Sequence, residues 1–277
     1  MVTPILTEKL GRLRRIVSDM ESVLVAFSGG IDSTLVLKVA HDELGSNAVG
    51  ITAVSATYPS LELESAVRSA REIGVPHEVV STDQLAIPAF AENDASRCFH
   101  CKTDLYRLME ALRAARPVQW IVDGTNVDDL SDDRPGIKAA REWQVRSPLV
   151  EANFTKTDVR AVARSLGLSA WDKPEAACLS SRIPRGVPIT VEKLRRVEEA
   201  EAVLLSMGVR QVRVRDHGDI ARIEVAAEEF ARLNEPSVRA SLTVRLRKTG
   251  FRYICLDLEG YRSGGTELKA TPETSPP

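Results

Sequence analysis

The sequence has no long apolar run and almost no excess of charge. No stretch approaches the roughly 18 consecutive apolar residues that indicate a transmembrane helix, so we expect no membrane association. The 37 basic and 39 acidic residues leave a net charge of −2. Because broad surfaces for nucleic acid are strongly basic, we expect no nucleic-acid partner. The N-terminus leads into an amphipathic pattern and not into the apolar run of a signal peptide, which favours a cytoplasmic location.

Cysteine is also scarce, with four residues in 277. In a cytoplasmic protein, so few cysteines favour metal, redox or packing roles over structural disulfides. Cys255 lies in a predicted strand at residues 252–258, where we expect it to be buried. The other three, Cys98, Cys101 and Cys178, are candidates for chemistry.

Apolar runs of strand length alternate with amphipathic helical patterns through the first two-thirds of the chain. The predicted strands span 22–27, 49–54, 77–80 and 119–122. The predicted helices span 6–20, 32–44, 61–73, 101–115 and 155–166. This alternation predicts an α/β domain over residues 1–185, built on a doubly wound parallel sheet with helices on both faces.

The pattern changes after the turn-forming segment IPRGVP at residues 183–188. Predicted helices at 190–207 and 236–248 and predicted strands at 211–215, 221–225 and 252–258 indicate a small C-terminal α+β domain over residues 186–262. We expect this domain to supply substrate or oligomer contacts. The tail, 263–277, is rich in Thr, Pro, Gly and Ser and is expected to be disordered.

A glycine-rich loop, SGGIDS at residues 28–33, joins the first predicted strand to a helix. Gly29 and Gly30 permit a tight turn and close approach of the backbone to a ligand. The helix N-terminus beyond them favours an anion, and Ser28 and Ser33 add hydroxyl donors. Asp32 suits such a site if Mg²⁺ intervenes, or if it only caps the helix. The alternative is a Gly-Gly turn with Ser and Asp caps and no ligand.

This loop is neither the Walker motif, which carries a lysine, nor the GxGxxG dinucleotide fingerprint. It resembles the pyrophosphate loop, SGGxDS, of the N-type ATP pyrophosphatases (the PP-loop superfamily). The resemblance implies that Ser28, Gly29, Gly30, Asp32 and Ser33 bind ATP, with Mg²⁺. A nucleophile on the substrate would then attack the α-phosphate, releasing pyrophosphate and leaving an adenylylated substrate.

Three further segments narrow the resemblance. They are RCFHCK at 97–102, DGTNVDD at 123–129 with DRPG at 133–136, and DKPEAACLSSR at 172–182. Together with the loop, and from about residue 5 to residue 262, the chain is similar to the LarE family of ATP-dependent sulfur transferases in nickel-pincer nucleotide biosynthesis. The resemblance implies a homo-oligomer whose substrate is pyridinium-3,5-biscarboxylic acid mononucleotide. Each carboxylate would be adenylated and then converted to a thiocarboxylate.

The CxxC of Cys98 and Cys101 is ambiguous by itself, because it also fits a thioredoxin-like redox pair, half a zinc site or two cysteines near a helix start. His100 between them is expected to form local hydrogen bonds. The resemblance implies two sulfur strategies. In one, Cys98, Cys101 and Cys178 bind a 4Fe-4S cluster whose open iron carries a sulfide; in the other, Cys178 gives up its own sulfur. We favour the cluster and keep sacrificial transfer from Cys178 as the alternative.

Polar residues after the fourth strand are further candidates. Asp128 and Asp129 follow it at the expected ligand-binding edge of the sheet, where they could assist Mg²⁺ or the nucleotide, or only cap a turn. Arg134 could contact a phosphate or carboxylate, or lie on the surface.

A second group of candidates belongs to the small domain and the segment before it. Arg213 and Arg215 share one strand face, with Glu224 expected on the neighbouring strand. This face suits the substrate's phosphate, although an exposed salt-bridged face is the alternative. Arg182 and Arg185 are similar substrate-binding candidates.

Other functions remain open at this stage. A tRNA thiolase of the same superfamily would need a basic RNA-binding face or an RNA-binding domain, and neither is apparent. An amidotransfer-type synthetase would normally need a glutaminase and would leave the cysteines unexplained. A non-enzymatic nucleotide-binding module is disfavoured by the cysteine segment beside an intact loop.

Overall fold

A computed structural model describes residues 3–131, 135–174 and 177–262 of the chain. The chain divides into two units, Met1–Ala176 and Ala177–Pro277. The division precedes the boundary expected after Arg185, because the segment around Arg182 forms its contacts with later residues of the second unit. Arg182 pairs with Glu201, and Arg215 donates to the carbonyl oxygen of Ser181.

The first unit is built on a parallel sheet. Its strands are β1 (Val23–Ala26), β2 (Ala48–Val54), β3 (His77–Ser81) and β4 (Trp120–Val122). They lie in the order β3-β2-β1-β4, and each neighbouring pair is parallel. The chain therefore builds outward from β1 to β3 and then returns to the other side of β1. The switch point between β1 and β4 is where open α/β sheets bind ligands.

Helices cover both faces of this sheet. They are α1 (Pro4–Ser18), α2 (Ile31–Leu44), α3 (Ser60–Ile73), α4 (Pro88–Ala91), α5 (Arg97–Ala114), α6 (Pro135–Glu142), α7 (Pro148–Glu151) and α8 (Lys156–Ser165). Val25 packs in a core with Leu13 and Leu35, whereas its neighbour Leu24 packs with Tyr106 and Met109 on the opposite face. Because strands buried on both faces are apolar throughout, this arrangement confirms the predicted doubly wound α/β fold.

Local sequence signals set most helix ends. Thr155 and Asp158 form a reciprocal capping box at the start of α8, and Gly74 ends α3 in the left-handed conformation. Helix α5 differs from expectation, since it begins at Arg97 and not near residue 101. Cys98 and Cys101 consequently both lie within the helix, three positions apart and on one side of it.

The second unit is a small α+β structure, as predicted. Its elements are a 3₁₀ turn (Leu179–Arg182), α9 (Val191–Ser206), β5 (Val212–His217), β6 (Ile220–Val225), α10 (Phe230–Asn234), α11 (Pro236–Arg247) and β7 (Tyr253–Leu256). The sheet order is β5-β6-β7, with β5 antiparallel and β7 parallel to β6.

The expectation that Cys255 is buried was wrong. It is exposed, because β7 is an edge strand whose alternate residues Tyr253 and Cys255 face outward. The tail predicted to be disordered, 263–277, lies outside the described residues. Within the described ranges, no helix is both long and apolar enough to cross a membrane.

Candidate functional site

The SGGIDS loop links β1 to α2, and its two glycines have different structural roles. Gly29 has φ +65°, and a Cβ there would lie 2.8 Å from the Cα of Ala66 on α3. Only glycine fits that position without strain. Gly30 is the N-cap of α2 with an ordinary φ of −75°, and a Cβ there would meet only the Ser28 hydroxyl, at 3.3 Å. Packing therefore requires Gly29, whereas nothing in the packing requires Gly30.

Hydroxyl groups hold the turn in shape. The Ser33 hydroxyl accepts from the Ser28 backbone N–H at 3.2 Å and lies 3.1 Å from the Gly30 carbonyl oxygen. Thr34 Oγ1 donates to the same carbonyl at 2.8 Å. Ser33 is buried, whereas Ser28 is exposed at the mouth of the loop. A preformed turn with exposed donors at a helix N-terminus is suited to an anion.

Asp32 is engaged by two residues that sequence reasoning missed. Asn126 Nδ2 donates to Asp32 Oδ1 at 3.1 Å, and Lys156 Nζ lies 2.6 Å from Asp32 Oδ2. Asn126 follows β4, and Lys156 opens α8. The DGTN segment is recognisable as a pattern in the sequence, but no local signal identifies Lys156.

Asp128 and Asp129 lie in a 3₁₀ turn beside this group. Asp128 Oδ2 accepts from the Lys156 backbone N–H at 2.7 Å, and Asp129 Oδ2 accepts from the Asn126 backbone N–H at 3.1 Å. Both carboxylates therefore make the turn-capping contacts considered in the sequence analysis. Arg134, the other candidate in this region, lies outside the described residues.

The segment after β4 approaches the loop closely. A Cβ at Gly124 would lie 2.6 Å from the backbone nitrogen of Ser33. Next to it, the buried Asp123 carboxylate accepts hydrogen bonds from the hydroxyls of Tyr106 at 3.0 Å, Thr125 at 2.8 Å and Ser147 at 2.8 Å. This network ties the end of β4 to α5 and to the residue before α7, next to the loop.

Cys98 and Cys101 are both half-buried on the first part of α5. Gln84 Nε2 donates to Cys101 Sγ at 3.1 Å, and the hydroxyls of Ser55 and Thr57 donate to Gln84 Oε1 at 3.0 and 2.8 Å. A chain of hydrogen bonds therefore runs from the end of β2 to Cys101, one of the predicted cluster ligands. Among the described residues, no three His, Cys, Asp or Glu side chains are gathered closely enough to hold a metal ion.

In the second unit, Cys178 begins a tightly held segment. Its Sγ lies 2.9 Å from the hydroxyl of the fully buried Ser180. Arg182 Nη1 donates to the carbonyl oxygens of Ala177 at 2.8 Å and Cys178 at 3.1 Å. The same guanidinium pairs through Nε and Nη2 with both carboxylate oxygens of Glu201, at 2.8 and 2.9 Å. Arg182 thus fastens the Cys178 backbone to α9.

Arg215 and Glu224 extend this arrangement. They form a two-point ion pair at 2.9 and 2.7 Å, and Arg215 Nη1 donates to the Ser181 carbonyl oxygen at 2.9 Å. Both side chains are buried, so the pair does not belong to an exposed sheet face.

Arg213 lies on the same strand with different partners. Its Nη1 donates to the Val212 carbonyl oxygen at 2.8 Å, and its guanidinium lies 5.3 Å from the ring centre of Tyr261. Burial, followed by the positive charge of Arg182, lowers the pKa of Arg213 from its ordinary value.

The parallel sheet and the SGGxDS loop at its switch point define a PP-loop protein of the ATP pyrophosphatase type. The asparagine synthase family matches residues 13–115. The chain is 46% identical to an uncharacterized protein of Synechocystis, over 94% of this chain and 97% of that protein. It is 40% identical to the pyridinium-3,5-bisthiocarboxylic acid mononucleotide synthase of Lactiplantibacillus plantarum, over 94% of each chain. The chain belongs to this synthase family, the LarE family, and is an ATP-dependent enzyme.

Proposed function

We propose that the chain transfers sulfur, at the expense of ATP, to the carboxylates of pyridinium-3,5-biscarboxylic acid mononucleotide. The observation that carries the proposal is the intact SGGIDS turn at the switch point of a LarE-family chain. The relative from L. plantarum is named for a bisthiocarboxylic acid mononucleotide, which is the product this reaction would give.

Activation of the carboxylate is the first step. A substrate carboxylate oxygen attacks the α-phosphorus of ATP, the bond to the bridging oxygen breaks, and pyrophosphate leaves. The amides and hydroxyls of residues 28–33 bind the β- and γ-phosphates. The acyl adenylate now carries AMP as its leaving group, which a free carboxylate lacks.

The donor set at the loop fits Mg²⁺. Magnesium in phosphate-transfer sites is usually held by one or two carboxylates together with phosphate oxygens and water. Asp32, whose oxygens also meet Lys156 and Asn126, would supply one carboxylate. Asp128, which accepts from the Lys156 backbone N–H, would supply a second. Mg²⁺ there would neutralise phosphate charge, while this chain's loop orients the α-phosphorus.

Sulfur delivery is the second step, and we assign it to the three cysteines. Cys98 and Cys101 are half-buried thiols on one side of α5, which suits two ligands of a 4Fe-4S cluster. Cys178 is the third ligand in this proposal. A cluster with three cysteine ligands supplies an open iron at which a sulfide can be held and replaced. The chain's own part is to present these thiolates and to exclude water from the acyl adenylate.

The alternative is that Cys178 gives up its own sulfur. Its thiolate would displace AMP to form a thioester, and loss of the Cys178 α-proton would break the Cβ–S bond. The products would be the thiocarboxylate and a dehydroalanine at position 178. Ser180, 2.9 Å from Cys178 Sγ, would orient the thiolate in either case.

The test uses anaerobically prepared protein, in which iron, acid-labile sulfide and product per enzyme are measured together. The wild type is compared with a Cys98→Ala, Cys101→Ala double variant, and exposed Cys255→Ala is the matched control. We expect the double variant to lose the cluster and multiple turnover, whereas the control keeps both. Full activity in the double variant, with loss of one H₂S in mass at Cys178, would establish the sacrificial route instead. Absence of ATP-dependent thiocarboxylate formation in the wild type would contradict the proposed function itself.

We keep the prediction that Arg213 binds the substrate's phosphate, because a guanidinium can bind phosphate through two parallel hydrogen bonds. Arg182, Arg215 and Glu224 were also predicted to bind substrate. Each guanidinium already pairs with a carboxylate, so we propose that these three act mainly by holding the Cys178 segment. Arg213→Met should weaken substrate binding about ten-fold or more while leaving ATP binding unchanged. Assembly as a homo-oligomer and a cytoplasmic location remain predictions.

A further inference from the structure

The backbone carbonyls of Ser28, Gly29 and Gly30 in the SGGIDS loop each accept a hydrogen bond from a side chain. Tyr58 Oη donates to the Ser28 carbonyl oxygen at 2.8 Å. Lys173 Nζ donates to the Gly29 carbonyl oxygen at 3.1 Å. Thr34 Oγ1 donates to the Gly30 carbonyl oxygen at 2.8 Å. The first two donors are distant from the loop in sequence, and no local pattern assigns either of them to it.

A held carbonyl also fixes the amide in the same peptide plane. In a trans peptide, the C=O of one residue and the N–H of the next point in opposite directions. The carbonyl of Ser28 shares its plane with the N–H of Gly29, and the carbonyl of Gly29 shares its plane with the N–H of Gly30. Tyr58 and Lys173 therefore restrict the direction of two successive amides, at a position where glycine would otherwise leave the planes free to rotate. The second of these amides, that of Gly30, faces the exposed Ser28 hydroxyl at 3.4 Å.

Lys173 is itself held from α3. Its ammonium lies 2.7 Å from Glu62 Oε2 and 2.9 Å from Ser65 Oγ, and its side chain is 17% exposed. The ammonium thus has two hydrogen-bond partners, Ser65 Oγ and the Gly29 carbonyl oxygen, and an ion-pair partner in Glu62. Because Glu62 balances the charge, the ammonium is fixed where it meets the Gly29 carbonyl, and it does not need an anion to hold it there.

Tyr58 remains a hydrogen-bond donor under physiological conditions. Burial, followed by the negative charge of Glu62, raises the pKa of Tyr58 well above its ordinary value. The phenol therefore stays protonated and can donate to the Ser28 carbonyl. Glu62 thus supports both contacts with the loop, one by pairing with Lys173 and one through its charge beside Tyr58.

We propose that Tyr58 and Lys173 are positioning residues that turn the amides of Gly29 and Gly30 toward the β- and γ-phosphates of ATP. The inference rests on the proposed function, since it takes this loop as the ATP site. It predicts a particular selectivity: loss of either donor weakens binding of ligands that contain the pyrophosphate group and leaves AMP binding unchanged. A purely structural anchor of α3 would show no such selectivity.

The experiment compares Tyr58→Phe and Lys173→Met with the wild type by calorimetric titration of magnesium ATP, magnesium pyrophosphate and AMP. Tyr58→Phe removes only a hydroxyl, so it tests the idea even if Lys173→Met folds poorly. Exposed Tyr253→Phe is one matched control. Lys38→Met is the other, because Lys38 also pairs with a carboxylate, Asp42, but along α2 and away from the loop.

Loss of one neutral hydrogen bond should weaken ATP and pyrophosphate binding about three- to ten-fold, with a larger effect for the charged Lys173. The controls should bind as the wild type does. Equal loss of AMP and ATP binding, or no loss in either variant while the wild type binds pyrophosphate, would overturn the inference alone. A wild type that binds neither ATP nor pyrophosphate would contradict the proposed function as well.

Discussion

The Nζ atom of Lys156 lies 2.6 Å from Oδ2 of Asp32, joining the first turn of α8 to the first turn of α2. A lone carboxylate in an anion-binding loop would repel phosphate. The lysine offsets that charge, and Asn126 orients the second carboxylate oxygen. Asp32 can thus remain in the loop that we propose binds phosphate, and Lys156 places a cation beside it.

Lys156→Met should weaken binding of magnesium ATP. The substitution leaves the charge of Asp32 uncompensated and removes a cation near the phosphates, and charge-assisted contacts contribute about 1.5–3 kcal/mol. We expect roughly a ten-fold or greater rise in the dissociation constant, measured by calorimetry, with an effect that shrinks at high salt. Lys38→Met on α2 is the control. Unchanged affinity in Lys156→Met would show that the pair is only structural.

Gly29→Ala and Gly30→Ala should differ in their effect on the free energy of unfolding. Gly29→Ala forces a non-glycine residue to φ +65° and brings its Cβ to 2.8 Å from the α3 backbone, so the free energy of unfolding should fall by about 2 kcal/mol or more. Gly30→Ala has an ordinary φ, so stability should change by less than about 1 kcal/mol.

At Gly30, function should be lost without a loss of stability. The methyl group that Gly30→Ala adds would occupy the space where the backbone meets the phosphates. ATP-dependent pyrophosphate release should therefore be lost in a stably folded protein. Urea unfolding and a pyrophosphate-release assay measure the two effects. Normal pyrophosphate release by Gly30→Ala would count against the loop as the ATP site.

The sequence predicted the parts of the fold that depend on local patterns. Apolar strands, glycine-ended helices and the SGGIDS turn each carry their signal within a few residues. The contacts that shape the site do not, since Lys156 and Asp32 are 124 positions apart and Lys173 and Gly29 are 144 apart. Such pairs exist only after the sheet has brought strand ends together at one edge.

Strand β5 shows why burial was harder to predict than secondary structure. Its alternation of Val212, Arg213, Val214 and Arg215 suggests one apolar face and one solvent face. Both faces are buried: Glu224 of β6 pairs with Arg215, and the guanidinium of Arg213 lies against the ring of Tyr261. Alternation therefore identified residues that share a face, while the nature of that face depended on distant partners.

His77 should make stability depend on pH in the weakly acidic range. Its Nε2 lies 2.8 Å from Thr52 Oγ1, and its ring meets Phe27 edge-on at 5.3 Å. Burial lowers the pKa of His77 below its ordinary value, an effect only partly opposed by Glu78. The unfolded chain therefore takes up the proton first as pH falls. The contribution of neutral His77 to the free energy of unfolding is fully present above about pH 6.5, and it is lost as pH falls through the pKa of His77 in the folded protein.

His77→Gln should reduce that dependence. We expect urea unfolding to show a shallower loss of stability between about pH 7 and pH 5 in the variant than in the wild type. Carboxylates that titrate in both proteins cancel in the comparison. An identical slope in the two proteins would contradict a contribution from His77.

The buried ion pair between Arg182 and Glu201 should contribute far more to the free energy of unfolding than the exposed pair between Arg195 and Glu199 on α9. The side chains of Arg182 and Glu201 are 3% and 10% exposed, whereas those of Arg195 and Glu199 are 57% and 44% exposed. Glu201→Ala leaves a buried guanidinium without its carboxylate, which should cost about 3–5 kcal/mol in the free energy of unfolding. Glu199→Ala removes an exposed pair and should cost about 1 kcal/mol or less.

A double variant separates the pair from the rest of the packing. Because Arg182→Met, Glu201→Leu removes both charges and retains apolar bulk, it should recover part of the stability lost in Glu201→Ala. It should not recover function, since Arg182 also holds the backbone of Ala177 and Cys178.

Urea unfolding measures the stability of the variants. The alkylation rate of Cys178, in a background lacking the other cysteines, measures how firmly the Cys178 segment is held. We expect alkylation to be faster in both Glu201→Ala and the double variant, because the segment that presents the thiol is released. An alkylation rate equal to that of Glu199→Ala would mean that the ion pair stabilises the unit without positioning Cys178.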